Sequence, residues 1–304
     1  MSQSFTIAHL SDAHLGPAPW PGVGELRLKR VMGYINWRRG RARLHDMGVL
    51  ARLVADLRAQ SPDHVAMTGD VVNIALAAEF RRAAAWMRAL GEPADVSFTP
   101  GNHDAYVRDA MAGLAATFAP WTSSDADAAA RDRFPFLRVR GEVALIGLNS
   151  GAPSGLLTAT GRLGARQIAA LGDLLRQTGA RGLARVILIH HPPLSRGYSP
   201  LRGLTDARAF EAVVGRFGAE AILHGHAHQR MAHHLPSAAS RVEGGRIPII
   251  GVASAAAASP DHRRRAAYHL IRLERAGEFW RVGVRARGML LGGAEIGERE
   301  APTV

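Results

Sequence analysis

The sequence predicts a layered α/β fold with mixed sheets, on three observations. Short apolar runs of strand length alternate with amphipathic stretches of helical length. Five of those runs end in clusters of Asp, Asn or His. Near the end of the chain the alternation gives way to two strand-like runs around a glycine turn, an antiparallel hairpin.

The elements are taken in chain order. Strands are expected at Phe5–Leu10, His64–Met67, Asp95–Phe98, Val143–Leu148, Arg185–Ile189, Ala219–Leu223 and Ile247–Val252. Helices are expected at Asp46–Arg58, Ala75–Leu90, Ala105–Phe118, Gly164–Arg176 and Asp206–Phe217. The hairpin joins Ala267–Leu273 to Phe279–Arg285 through Ala276-Gly277. Ser123 to Asp132 is small and polar, a surface loop, and the tail beyond Gly288 is expected to be poorly packed and without chemistry. No linker or repeat divides the chain, so residues 1–304 are expected to form one domain.

Composition narrows the function classes. With 47% hydrophobic but only 6% aromatic residues, Ala, Leu and Val must fill most of the core. The absence of cysteine excludes disulfides and thiolate metal sites and fits a reducing, cytoplasmic setting. Met1 to Ser4 is uncharged and leads straight into a strand, so no signal peptide is expected. No apolar run approaches the roughly 20 residues of a spanning helix. The net charge of +12, almost all of it arginine, suits an anionic partner or reflects a bias toward arginine.

The strand ends carry the chemistry. They read Asp12-Ala13-His14, Gly69-Asp70, Gly101-Asn102-His103-Asp104, His190-His191-Pro192-Pro193 and His224-Gly225-His226-Ala227-His228. Ligands of α/β sheets bind beyond the carboxyl ends of the strands. Asp-x-His alone is incidental more often than not, and Gly-Asp is ordinary turn chemistry. Gly-His-x-His says more, because two imidazoles two residues apart in a loop can reach one centre. Five clusters in this order, each at a strand end, are not readily placed by chance.

As an ordered set, from Asp12 to His228 and so about 70% of the chain, they resemble the calcineurin-like metallophosphoesterase superfamily. The resemblance implies a four-layer sandwich of two mixed β-sheets flanked by helices, with a dinuclear site at the strand ends. It implies that Asp12, His14 and His228 hold one metal, that Asn102, His190 and His226 hold the other, and that Asp70 bridges them. His190 is the ligand of the His doublet, with His191 a neighbour that can face substrate. His224 is expected behind the ligands. These O and N donors suit Mn, Fe or Zn without choosing among them. Two divalent ions about 3.5–4 Å apart clamp an in-line displacement and lower the pKa of a bound water. The resemblance makes His103 the residue that contacts phosphate and protonates the leaving oxygen, and Asp104 its orienting partner. Asp104 can equally cap the helix expected near Ala105. A metal-free protein-binding scaffold is the remote alternative, since every expected ligand is present.

Pro17 to Arg43 forms an insertion with seven basic residues against one acid, half of the chain's excess charge. Leu28, Val31, Met32 and Ile35 share one helical face, and Trp20, Tyr34 and Trp37 add amphipathic rings. Two readings stand. The helix packs its apolar face on the domain with its arginines solvated, or it lies on an anionic membrane surface beside the metal site. The substrate is accordingly expected to be a soluble phosphodiester, as in the cyclic-nucleotide phosphodiesterases. The alternative is a lipid-linked phosphate or pyrophosphate, as in the UDP-diacylglucosamine pyrophosphatases. Basic and aromatic residues do not interleave elsewhere, so there is no strong nucleic-acid signal.

Overall fold

The computed structural model describes residues 4–125, 134–155, 158–292 and 295–303. The polar stretch expected as a surface loop lies from residue 126 onward outside the described residues. In chain order the described residues form β1 (Ser4–Leu10), α1 (Leu28–Asn36), α2 (Ala42–Leu44), α3 (Met47–Ala59), β2 (His64–Met67), α4 (Ala77–Leu90), β3 (Val96–Phe98), α5 (Met111–Thr117), β4 (Phe136–Arg140), β5 (Val143–Gly147), α6 (Ala165–Ala180), β6 (Ala184–Leu188), α7 (Ala207–Phe217), β7 (Ala221–His224), β8 (Met231–Pro236), β9 (Arg246–Gly251), β10 (Ala267–Ala276), β11 (Phe279–Met289) and β12 (Ile296–Arg299).

The strands make two six-stranded sheets, ordered β12-β11-β10-β1-β2-β3 and β4-β5-β6-β7-β9-β8. Both are mixed, as expected. In the first, β1, β2 and β3 run parallel while β10, β11 and β12 are antiparallel additions. In the second, β5, β6, β7 and β9 are parallel, and only the edges β4 and β8 are antiparallel.

Strand alternation sorts side chains into layers. Ile7 of β1 points between the sheets with Leu145, Val186, Leu223, Ile250 and Ile271. Its neighbours Ala8 and Leu10 point outward, beneath α3 and α4. There Leu50, Leu53 and Leu57 meet Phe80, Ala83 and Met87, helical spacings that put each set on one face. On the other side α6 and α7 cover Ile146, Ile187, Ile222 and Ile249 with Leu171, Leu175, Phe210 and Val214. The result is helix, sheet, sheet, helix. Asp46 starts α3, its Oδ1 accepting from the amides of Gly48 at 2.7 Å and Val49 at 3.0 Å.

Two expectations change, and two strands appear that were not expected. No helix begins at Ala105: a single 3₁₀ turn at Arg108–Ala110 precedes α5. The tail beyond Gly288 is packed, because β12 pairs with the end of β11 and Met289 is buried. The edge strands β4 and β8 carry no clean apolar run and escape a hydrophobicity reading. No helix among the described residues is long and apolar enough to cross a membrane.

Candidate metal centre

The loops that leave β1 and β2 run side by side. The amides of Asp12 and His14 donate to the carbonyls of Gly69 and Asp70 at 2.9 and 3.0 Å, extending the pairing of the two strands past their ends. Asn102 and His103 follow β3, His190 follows β6, and His226 and His228 follow β7. Five of these residues have left-handed backbone: Asp12, His14, Asp70, His226 and His228, with φ between 40° and 65°. Non-glycine residues rarely adopt this region, and it costs roughly 1–3 kcal/mol each. Only two other non-glycine residues, Ser61 and Ala75, do so among the described residues, so the strain is concentrated where the carboxylates and imidazoles must turn inward. Gly69 has φ +102°, and a Cβ there would strike the His190 ring.

Two groups of donors result. In one, His228 Nε2 lies 3.0 Å from Asp12 Oδ1 and 3.2 Å from His14 Nε2. In the other, His190 Nε2 lies 3.3 Å from His226 Nδ1. Asp70 stands between them, its Oδ2 3.3 Å from His190 Nε2 and 3.9 Å from His14 Nε2. Asn102 lines the same cavity, of about 140 Å³, and its buried Oδ1 has no partner. All seven residues singled out by the strand-end pattern therefore converge.

These residues fit metal ions. Asp12 Oδ1, Asn102 Oδ1 and His226 Nε2 are buried polar atoms without a hydrogen-bond partner, an arrangement folded proteins avoid unless something is bound there. Backbone carbonyls fix the imidazoles. His14 Nδ1 faces Val72 O at 3.2 Å and His190 Nδ1 faces Thr68 O at 2.6 Å. A proton on each Nδ1 leaves the Nε2 lone pair aimed into the site, the support usual behind metal-bound histidine. Oxygen and nitrogen donors without sulfur suit divalent ions of the Mn, Fe or Zn kind. Asp70 and His190 charge each other across the site, a proton on Nε2 standing where a cation would compete for the lone pair. His190, although burial opposes charge, is raised to about 9 by Asp70. Against its own burial, Asp70 is held well below the usual carboxylate range by His190 and His103.

His103 sits beside this centre. Its amide donates to Asp70 Oδ1 at 2.7 Å, and its Nδ1 lies 2.5 Å from Asn73 O. Nε2 consequently faces the cavity, where Arg41 Nη1 approaches to 2.7 Å. Burial first, then Arg41, lowers His103 to about 3. Asp104 does not touch the His103 ring and caps no helix. Its carboxylate accepts from the amides of Asp70 (2.7 Å), Val71 (3.0 Å), Val72 (3.2 Å) and Gly101 (2.8 Å). It ties the two loops that carry Asp70 and Asn102. Burial and the Asp70 carboxylate push it up to about 7, against four amide donors that favour the anion. His191 turns to Ser150, Nδ1 to Oγ 2.8 Å, and its Nε2 faces the His190 and His226 group. His224 is buried behind the ligands and belongs to neither group.

Two cavity residues escape a strand-end search. Arg41 and His45 come from the insertion and its exit. The His45 ring stacks on His14, centroids 4.5 Å apart and planes 6° apart, and neither of its nitrogens has a partner. No strand precedes them, so nothing local marks them. Together with Arg202 and Arg264 they complete the mouth.

The insertion is pinned by its basic side. Arg30 is buried and donates to Ile74 O (3.2 Å), Ala75 O (2.7 Å) and Glu25 O (3.0 Å). Lys29 Nζ donates to Tyr106 O and Ser154 O at 2.7 and 2.8 Å. Gly33 lets the helix approach Ile74 and Tyr106, where a Cβ would collide. A π-helical turn at Trp37–Arg41 follows α1 and delivers Arg41 to His103.

Comparison with known proteins matches this architecture. The fold is similar to a dimetal phosphatase from Danio rerio at 12% identity, TM-score 0.54, over 92% of this chain and 98% of that one. It is also similar to a purple acid phosphatase from yellow lupin, at 11% identity and TM-score 0.57, over 98% of this chain but 53% of that one. A third is the NAD nucleotidase of Haemophilus influenzae, at 14% identity and TM-score 0.52, over 99% of this chain and 54% of that one. This chain thus spans about half the length of the latter two. No curated protein matches it by sequence. The model of the calcineurin-like phosphoesterase family matches residues 5–230, the stretch that holds every ligand candidate, and the chain belongs to that family of metallophosphoesterases.

Proposed function

We propose that this protein is a dinuclear phosphodiester hydrolase. Asp12, His14 and His228 would hold one ion and Asn102, His190 and His226 the other, with Asp70 serving both. The observation that carries this is the pair of facing imidazole nitrogens on either side of Asp70, His14 with His228 at 3.2 Å and His190 with His226 at 3.3 Å. Bound there, two divalent ions would supply Lewis acidity and activate water at neutral pH. The chain's own residues do the rest. Asp104 holds the Asp70 and Asn102 loops in register through four amides. Arg41 is placed to take a phosphate oxygen, and as it turns to substrate it releases His103 Nε2. With Nδ1 donating to Asn73 O and Arg41 donating to Nε2, the ring is neutral; once Arg41 leaves, Nε2 would take up a proton from solvent and pass it to the leaving oxygen.

The test is hydrolysis of bis(p-nitrophenyl) phosphate by manganese-loaded protein, beside metal analysis of wild type and Asp70→Asn. Two metals per chain with turnover, both lost in the variant, is the expected result. Turnover retained by metal-depleted Asp70→Asn would end the assignment, and metal-free wild-type protein would favour a scaffold.

A second reading rests on Arg41, Arg202 and Arg264, three cations around one mouth. They suit more negative charge than one diester carries, such as a lipid-linked pyrophosphate. Faster turnover of a long-chain diphosphate ester in detergent than of the nitrophenyl diester would select it.

A further inference from the structure

We infer that the outer face of the insertion docks on an anionic phospholipid bilayer and presents the mouth of the metal centre to that surface. From Leu28 to Leu44 the backbone is continuously helical, through α1, the π turn and α2. Its two sides differ in chemistry. Arg30, Gly33, Trp37 and Arg41, spaced three, four and four, face the protein. Leu28, Met32, Asn36, Arg39 and Arg43, spaced four, four, three and four, are all exposed. The first turns depart from the usual surface helix, which buries apolar residues and solvates charge: Arg30 is buried while Leu28 and Met32 are exposed.

The exposed apolar residues concentrate in one stretch of the chain. Trp20 is 57% exposed, Val23 90%, Leu28 69% and Met32 46%, all within the insertion. Ordinary surfaces scatter such residues singly. Around them Arg38, Arg39 and Arg43 are exposed, and among the described residues no carboxylate pairs with them. Leu28 and Met32 with Arg39 and Arg43 on the outer helical face, and Trp20 and Val23 exposed just before it, match the layered chemistry of an anionic interface. The ring and aliphatics enter the headgroup boundary while the guanidiniums meet lipid phosphates. A folded protein partner would have to supply an apolar groove with an acidic rim. A bilayer supplies both over any area. Arg41 and Leu44, on the same segment, line the metal cavity, so docking places that cavity at the lipid headgroups. This inference concerns binding and stands whether the substrate is soluble or lipid-linked.

Sedimentation with vesicles tests it, using manganese-loaded protein. The wild type should pellet with phosphatidylglycerol–phosphatidylcholine vesicles and far less with phosphatidylcholine alone. Leu28→Glu with Met32→Glu should lower the bound fraction about tenfold. An equal change of charge outside the insertion, Arg81→Ser with Arg208→Ser, should lower it much less. Both variants should keep the wild-type far-UV circular dichroism and thermal unfolding midpoint, which shows that they are folded. Failure of the wild type to pellet with anionic vesicles overturns the inference. So does an equal loss in both variants, which would reduce binding to net charge. Turnover of the nitrophenyl diester is read separately, so loss of the catalytic reading leaves this result intact.

Discussion

The two ends of the second sheet bury charge in opposite ways. At the carboxyl ends of β6 and β7, His190 and His226 face each other, with His226 Nε2 unpartnered and, at His226, a left-handed backbone. At the amino ends of the same strands Arg185 and Glu220 are as deeply buried, yet fully matched. Arg185 Nη2 meets Glu220 Oε1 at 2.7 Å and its Nε meets Oε2 at 2.9 Å. Phe217 O and Ala239 O accept from the rest of the guanidinium, and the amides of Arg185 and Arg241 donate to the carboxylate. One end spends stability on atoms left free for something to bind. The other leaves nothing free. Burial of polar groups therefore does not mark function here; convergence of several unpartnered donors on one cavity does.

That contrast can be broken at either end. The largest effect is expected at the open end. His103→Ala should leave metal content unchanged and lower turnover about 10²–10⁴-fold, measured on the nitrophenyl diester. Unchanged turnover removes its proton-transfer role. At the closed end, Arg185→Met strands a buried carboxylate and should cost about 3–5 kcal/mol in urea unfolding. The pair Arg185→Met with Glu220→Met should recover most of that, and turnover per folded molecule should not change. A recovery that fails would show the pair to be stabilising beyond its own neutralisation.

Metal removal comes next. Chelation should lower the unfolding midpoint, and saturation at about 100 times the dissociation constant should restore about 2.7 kcal/mol. Arg185→Met should keep the whole of that increment, because the two ends share no partners. The smallest effect belongs to a second matched carboxylate, Asp56 on α3. Arg287 on β11 donates to it at 2.7 and 2.8 Å and Tyr268 at 2.6 Å. Those hydrogen bonds hold Asp56 below its ordinary value. Its contribution is present above the unfolded value near 3.9 and is lost as pH falls through the lower folded value. Asp56→Asn should cost about 1–2 kcal/mol at neutral pH and flatten the decline of the unfolding midpoint below about pH 4. An unchanged slope would show that the carboxylate titrates normally.

How much of this was legible in the sequence depends on range. The parallel strands and the seven ligand candidates are written in short local patterns, an apolar run and the polar residues just past it, and they converge where strand ends must. Asp104 was legible as a site residue but not in its task, because its four amide partners lie up to 34 residues away. Arg41 and His45 reach the centre from an insertion with no strand before it, so only tertiary structure brings them in. The insertion's amphipathic pattern was visible, but its orientation was not: helical spacing tells which residues share a face, not which face turns inward. Buried Arg30 decides that, through carbonyls of a loop more than 40 residues away. The edge strand β12 escaped because pairing to β11, rather than its own hydrophobicity, makes it a strand.

The π turn at Trp37–Arg41 gives chain length a role that composition lacks. Such a turn holds one residue more than an α-helical turn. Gly40 within it is exposed and nothing lies near its side-chain position. Deleting that residue would restore an α-helical turn and draw the residues downstream of it along the helix by about 1.5 Å. The contact of Arg41 with His103 would be strained, while the pinning contacts of Lys29 and Arg30 lie upstream of the turn. The mouth of the site is thus set by the number of residues in this turn as well as by the side chains they carry.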